Sequence, residues 1–252
     1  MLSKNKIKYI QALLHKKVRE ETGLFVAEGE KLITELIKAN FRFETLVYTN
    51  NSSLNFQTLQ CEKIETTQEN IKKISSLKTS PSAIAICHQA IYKTDLPLNH
   101  DNLILVLDQI QDPGNLGTII RLASWFGIEY IVCSPDTVDC YNPKVVQATM
   151  GAIAHVKVLY TDLSLFLNES ILKGRTIYGT FLDGDNIYGS ELKENGIIIL
   201  GNEGNGISKE IEKIVTNRLF IPSYQSSARN VESLNVSIAA AIVCSEFRRK
   251  KN

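Results

Sequence analysis

Residues 107–127 read LDQIQDPGNLGTIIRLASWFG and join a strand end, a loop and a helix. The run before them, 103–107, is continuously apolar, as a strand buried on both faces must be, and that points to a parallel sheet covered by helices. Pro113 with Gly114 predicts a turn with positive φ at its second central residue, and Asn115 is the expected N-cap of the helix that follows. On that helix Ile119, Ile120, Ala123 and Phe126 make the apolar side. Gly117, Thr118, Arg121 and Ser124 recur at three- and four-residue spacings on the other. Gly127 ends the helix as a C′ residue. Arg121 therefore stands on a stripe of small residues, a permanent positive charge with five donors. By pattern alone the segment is either an ordinary βα unit with a surface arginine or the edge of a ligand site, because α/β folds place ligands where strand ends open into glycine loops.

Beyond this segment, strand-like runs at 130–133, 156–159, 176–181, 197–200 and 219–221 alternate with helical stretches at 162–172, 207–215 and 235–249. A further helix opens at Pro143, which follows Tyr141 and Asn142 and fits a first helical position. This alternation predicts an α/β fold, a mostly parallel sheet with helices on both faces. Upstream the pattern is a helix over 7–18, a strand over 24–27, a helix over 28–39, a strand over 46–48, a polar loop over 50–58, a helix over 71–77 and a strand over 83–87. That is a small αβα sandwich. KTDLPLNH, 93–100, has a proline and no periodicity and is the expected linker, which divides the chain into domains 1–95 and 101–252.

With 252 residues, 44% hydrophobic and 22% charged, the composition suits one large or two small globular domains and not a disordered chain. No apolar run reaches membrane-spanning length and MLSKNKIKYI lacks the hydrophobic core of a secretory signal, so a cytoplasmic protein without a membrane partner is expected. The five cysteines are odd in number and widely spaced, which reads as reduced packing thiols. The four histidines have no ligand spacing, so no metal is expected. Charge is uneven: 1–98 hold 14 Lys and Arg against 10 Asp and Glu, and the remainder 14 against 17. Lys4, Lys6, Lys8, Lys16, Lys17 and Arg19 crowd the opening segment, which is either a track for a phosphate backbone or a solvated helix face.

Two further loops carry chemistry. IIILGNEGNGIS, 197–208, is a buried strand, then Gly201, Gly204 and Gly206, then a helix. It is not a P-loop, since Ile207 stands where the lysine must be, and not a dinucleotide fingerprint, since its close glycine pair comes last. What remains is a backbone loop thin enough to touch a flat ligand, with Glu203 at its centre as either a cap or a partner for a cation. LFIPSYQSSARNVESLNVSIAAAIVCSEFRR, 219–249, ends a strand at Ile221 and Pro222. Ser233 or Asn235 then caps a helix whose buried face is Val236, Ala240, Val243 and Phe247. All three loops follow sheet strands, so a parallel sheet gathers them at its carboxyl edge.

NLGTIIRLASWFG, LGNEGNGIS and IPSYQSSARNVESLNVSIAAAI resemble motifs one, two and three of the SpoU (TrmH-like) RNA ribose 2′-O-methyltransferases of the SPOUT superfamily, over roughly residues 101–250. FVAEGEKLITELI and ISSLKTSPSAIAIC resemble the ribosomal-protein-like substrate-binding domain of longer members. The resemblance implies a carboxyl-terminal trefoil knot, an exception to the near absence of knots, with S-adenosylmethionine against it. It implies that Gly201, Ile221 and Leu234 bind the cofactor mainly through backbone, with Leu200, Asn202 and Thr180 beside them. Asn115, Arg121, Glu203, Ser233 and Asn235 match the catalytic set, Lys16, Lys17 and Arg19 are the expected RNA contacts, and members are homodimers with sites near the interface. The expected substrate is structured RNA, 23S ribosomal RNA first and transfer RNA second. An inactive RNA-gripping module on the same fold is the rival reading. Between Pro222 and Leu234 the chain is a few residues longer than compact members, with the loop 224–230 over the cofactor, and Arg229 in that insertion is an expected RNA contact. Guanidinium is a poor base, so Arg121 is expected to hold the adjacent phosphate and favour the alkoxide. Glu203 is expected to fix Arg121 or the ribose, and Asn115, Ser233 and Asn235 to supply neutral hydrogen bonds.

Overall fold

The computed structural model describes residues 2–92, 102–169, 174–224 and 233–249; the expected linker 93–100 and most of the loop 224–230, Arg229 included, lie outside the described residues. Two units are present, Met1–Ile91 with Asp139–His155, and Tyr92–Val138 with Val156–Asn252. The stretch 139–155, expected within the second domain, therefore packs with the first.

In the amino-terminal unit, Ser3 caps α1 (Lys4–Ala12), and α2 (Lys16–Thr22) follows after a break. A single helix over 7–18 was the expectation. The break frees the carbonyls of Leu13 and Leu14, and Arg19 Nη1 donates to both, at 3.0 and 2.8 Å. Its Nε and Nη2 donate to Asp139 Oδ2 at 2.9 and 2.7 Å, and the residue is 1% exposed. Arg19 is thus buried structure, which corrects its assignment to RNA. β1 (Leu24–Glu28), β2 (Phe43–Tyr48), β3 (Glu62–Glu65) and β4 (Ala83–His88) form a sheet in the order β1-β4-β2-β3. β4 is antiparallel to both its neighbours and β3 parallel to β2. The sequence reading missed β3, an edge strand that buries only Ile64 and so shows no apolar run. α3 (Glu30–Lys38) and α4 (Gln68–Ile74) complete the unit with α6 (Pro143–Ala148), which has Asn142 as N-cap and Pro143 in its first turn. Tyr141 anchors this last segment: its ring centroid lies 4.7 Å from that of Phe25, and its hydroxyl accepts from Ala90 N at 2.9 Å.

The second unit is built on β5 (Ile104–Leu107), β6 (Tyr130–Cys133), β7 (Lys157–Tyr160), β8 (Ile177–Phe181), β9 (Asp185–Asn186), β10 (Ile197–Leu200) and β11 (Asn217–Phe220). The order is β7-β6-β5-β10-β8-β11-β9 and every described pairing is parallel. Chain order runs outward from β5 to β7, then crosses to β8, and β10 enters between β5 and β8. The carboxyl ends of β5 and β10 flank that reversal, the place where an open parallel sheet leaves a crevice. Both strands are buried on both faces, as the apolar runs predicted.

α5 (Pro113–Trp125) begins three residues earlier than the reading of Asn115 as its cap requires. Asp112 is the N-cap and accepts from Asn115 N at 2.8 Å, with Pro113 in the first turn. Gly114 accordingly has no positive φ. The left-handed residue before the helix is Gln109, φ 59°, while Gly127 after it has φ 64° as expected. α7 (Leu163–Leu167) and α8 (Lys209–Glu212) are shorter than their periodic stretches, and α9 (Val236–Arg248) starts at the cap Asn235. α9 lies along α5 with both amino ends together. Asn235 meets Asn115 at one end, and Arg248 Nε donates to Phe126 O at 3.0 Å at the other.

Candidate functional site

Asp108 follows directly on β5 and is 2% exposed. Its backbone N donates to Leu200 O at 2.9 Å and its Oδ2 accepts from Ser208 N at 2.7 Å, so one side chain closes the far end of the loop 201–208. Gln109, in its left-handed conformation, presents its carbonyl to Asn202 Nδ2 at 2.8 Å. Asn202 Oδ1 accepts from Gly204 N and Asn205 N at 2.9 and 3.0 Å, and the Asn202 and Gly206 backbones exchange bonds at 3.0 and 2.9 Å. The loop thus folds back on itself. A Cβ at Gly201 would come within 2.2 Å of Gly206 C and 2.3 Å of Ile207 N, so only glycine passes there. Neither Asp108 nor Gln109 was singled out in sequence. The available signal was an acid at the carboxyl end of a parallel strand.

Glu203 stands at the tip of this loop, exposed. Asn115 Nδ2 donates to its Oε1 at 2.7 Å, and Asn235 Nδ2 donates to Asn115 Oδ1 at 2.9 Å. The direction of this chain is fixed at Asn235, whose Oδ1 already accepts from Ser237 N, Ile238 N and Ser237 Oγ, at 2.9, 3.3 and 2.6 Å. Asn235 can only donate onward, Asn115 must accept with its oxygen, and its amide then faces a carboxylate. The amide orientations follow from the network. Three segments, 88 and 120 residues apart in sequence, are joined in this way.

Beside the chain lies a cavity of about 870 Å³, lined by the loop 201–207, the ends of β8 and β11, and α9. Thr180, Gly201, Asn202, Glu203, Ile221, Ser233 and Leu234 of the expected set line it; Leu200 is buried behind it, and Asn115 and Asn235 reach it through Glu203. Arg121 does not line it. It is exposed on α5, six residues beyond Asn115, or about 9 Å along a helix of 1.5 Å rise. Glu203 therefore pairs with Asn115 and not with Arg121, which corrects half of the role expected for it. Lys16 and Lys17 are exposed on α2 in the other unit, each beside a glutamate one turn on.

The far wall of the cavity was missed in sequence. Arg218 lies over the Phe181 ring, 3.6 Å from its centroid, and donates to Asp183 and Glu212 at 2.5 Å each; the carboxylates raise its already high pKa. Among the described residues the lining holds three carboxylates, Asp183, Glu203 and Glu212, against one cation. Such a lining suits a ligand carrying positive charge, and the volume falls within the roughly 300–1,000 Å³ of small-molecule and cofactor sites. Exposed backbone of the folded-back loop, open space beside Ile221 and Leu234, and an acidic wall together fit S-adenosylmethionine, a flat adenine joined to a sulfonium cation. Burial pushes the Cys244 thiol on α9 up to about 12, which makes it a poor nucleophile.

With this geometry in view, the model of the SpoU rRNA methylase family matches residues 102–245, and that of the MRM3-like substrate-binding domain matches residues 4–85. The 23S rRNA (guanosine(2553)-2′-O)-methyltransferase of Bacillus subtilis is 30% identical over 96% of this chain and 96% of its own. Among solved structures, a putative RNA methyltransferase of the TrmH family from Porphyromonas gingivalis superposes with a TM-score of 0.86 at 38% identity, covering 98% of both chains. An AdoMet-bound rRNA methyltransferase from Sinorhizobium meliloti gives 0.86 at 27% identity, covering 98% of this chain and 95% of its own.

Proposed function

Because the chain belongs to the SpoU rRNA methylase family, we propose that it methylates a ribose 2′-hydroxyl of 23S ribosomal RNA with S-adenosylmethionine as donor. The observation that carries this reading is the Asn235–Asn115–Glu203 chain at the rim of an acidic cavity, since it unites all three motifs around one place where a hydroxyl can be held. Bound there, the cofactor supplies an electrophilic methyl group on a sulfonium whose charge vanishes in transfer. Gly201, Ile221 and Leu234 hold the adenosine through backbone groups. Glu203, with Oε1 engaged by Asn115, orients the ribose through its other oxygen, and Ser233 at the same rim contributes a neutral hydrogen bond. Arg121 stands outside the cavity on α5 and meets the phosphate next to the target ribose, where its charge favours the developing alkoxide.

Two features of the assembly belong to the same proposal. The carboxyl-terminal part of the second unit carries a trefoil knot, and two copies associate through the outer faces of α5 and α9, where Trp125 and Ile238 are exposed, with Leu234 just before α9. The test is methyl transfer from labelled cofactor to 23S ribosomal RNA and to transfer RNA, read by primer extension at low nucleotide concentration. A 2′-O-methyl stop on ribosomal RNA is expected. A stop on transfer RNA alone would move the substrate. No transfer, together with no S-adenosylhomocysteine binding at millimolar concentration, would leave an RNA-gripping module. Arg121→Ala should abolish transfer while leaving S-adenosylhomocysteine affinity within a few fold, as calorimetry would register. Loss of cofactor binding would make the arginine structural.

A further inference from the structure

The lysines of the amino-terminal unit divide by whether a carboxylate neutralises them. Lys16 and Lys17 lie 3.6 and 3.9 Å from Glu20 and Glu21, Lys38 lies 2.8 Å from Glu35, and Lys6 lies 2.7 Å from Glu62. Lys4, Lys8, Lys31, Lys63, Lys72, Lys78 and Lys144 are exposed and have no carboxylate within 4.0 Å among the described residues, and Lys73 touches the Asn70 amide oxygen at 3.2 Å. Four of them, Lys4, Lys8, Lys72 and Lys73, lie on the packed helices α1 and α4. Lys4, Lys8 and Gln11 are spaced i, i+4, i+7 on α1, so they share one stripe. Gln11 Nε2 donates to Lys73 O at 2.8 Å, which sets that stripe against the last turn of α4, where Lys72 and Lys73 project. α1 carries no acidic residue and α4 only Glu69.

The loop after α4, with Lys78, is held by the buried carboxylate of Glu28, 4% exposed. It accepts from Ser75 Oγ at 2.5 Å, Ser76 N at 3.0 Å and Ser76 Oγ at 2.5 Å. A buried charge with three donors is a firm anchor for a surface turn. The result is an uncompensated cationic face on a fixed base, with Lys4 and Lys8 about 6 Å apart along the helix axis. Ammonium groups are point charges without the planar fork that reads base edges.

We infer that the α1–α4 face, through Lys4, Lys8, Lys72 and Lys73, grips the phosphate backbone of the RNA substrate without reading its bases, and that α2 takes no part. The inference rests on the RNA-methylating reading. Of the cations crowded in the opening segment it keeps Lys4 and Lys8, drops Lys16 and Lys17, and adds Lys72 and Lys73 from α4. The test compares the full chain with Lys4→Gln/Lys8→Gln/Lys72→Gln/Lys73→Gln and with Lys16→Gln/Lys17→Gln. Dissociation constants would be measured between 50 and 300 mM KCl for a 23S ribosomal RNA fragment and for an unrelated structured RNA of equal length. For the quadruple variant the log–log salt slope should be shallower by about 3 on both RNAs, since each neutralised phosphate contributes roughly 0.7 to 0.9. For the double variant it should match the wild type to within about 0.5. Unchanged S-adenosylhomocysteine affinity and unfolding midpoint verify that both variants fold. A quadruple variant with the wild-type slope, or a loss confined to the double variant, overturns the inference. If the quadruple variant keeps the wild-type slope while the wild type transfers methyl groups, the face falls and the enzyme stands. If the slopes differ as expected but no methyl is transferred, the enzyme falls and the face stands.

Discussion

At the scale of single residues, the site is a matter of which atoms are already committed. Asn235 spends its carbonyl oxygen on capping α9, and only because of that does its amide point at Asn115 and polarise Asn115 toward Glu203. Asn235→Asp separates the two duties. A carboxylate caps a helix as well as an amide does and suits the positive end of its dipole, so stability should stay within about 0.5 kcal/mol. It cannot donate, however, and it places a second negative oxygen against Asn115 Oδ1. Methyl transfer in single-turnover assays should fall about 100-fold, with S-adenosylhomocysteine affinity within a few fold. Equal loss of binding and turnover would mean that the asparagine shapes the cavity instead. Asn115 illustrates what sequence could and could not say at this scale. The motifs grouped it with Glu203 and Asn235, to which it is hydrogen-bonded, but the reading of Asn115 as helix cap failed, because Asp112, three residues earlier, takes that duty and has Pro113 in the first turn behind it.

At the scale of elements, a buried arginine holds the break between α1 and α2, and a half-buried carboxylate sits in the first turn of α3. Arg19 takes two orphaned carbonyls and the carboxylate of Asp139, so neither partner can leave without stranding the other. Asp139→Ala should destabilise the chain by about 3–5 kcal/mol in urea unfolding, and adding Arg19→Met should increase the loss by less than Arg19→Met does alone. Full additivity would show the pair to be uncoupled. Glu30, in the first turn of α3, resists ionisation through burial, but the hydroxyls of Ser53, Ser82 and Ser52 and the Ser53 backbone N–H outweigh that and hold its pKa down to about 2. A carboxyl depressed from 4.5 in the folded state stabilises the fold fully above 4.5, and that stabilisation is lost as pH falls through about 2. Thermal midpoints of the wild type and Glu30→Gln should therefore differ most above pH 4.5 and converge toward pH 2. A constant difference across that range would contradict the assignment. Periodicity was a sound guide wherever an element buries a continuous face, as in β5, β6, β10 and α9. It failed for β3, which buries one residue, and at the α1–α2 break, where Arg19 reads as a surface cation until Asp139, 120 residues away, is in place.

At the scale of the whole molecule, a parallel α/β sheet could be read from alternating elements, but its order could not. Nothing local in β10 says that it enters between β5 and β8, nor in 139–155 that it leaves the second unit to pack with the first. The same holds for surfaces. Along the parallel pair α5 and α9, Trp125 is 84% exposed, Ile238 52% and Leu234 48%, with Leu122 and Ile242 half-buried between them. An apolar strip running the length of two packed helices, beginning at the Asn235–Asn115 junction, is what a second copy would cover, and it adjoins the rim where Glu203 stands. Tryptophan on such a face is the residue whose loss weakens association most, by about 2 kcal/mol or more, or some thirtyfold in dissociation constant. Trp125→Glu adds a buried charge to that loss. Sedimentation at micromolar concentration should then show the wild type as a dimer and the variant as a monomer. Methyl transfer should fall at least tenfold while S-adenosylhomocysteine still binds, because the cavity is lined by one copy and the exposed Arg121 lies on the helix that the partner would cover. A variant that remains dimeric would place the association elsewhere, and a monomer with full activity would free Arg121 from any dependence on a second chain.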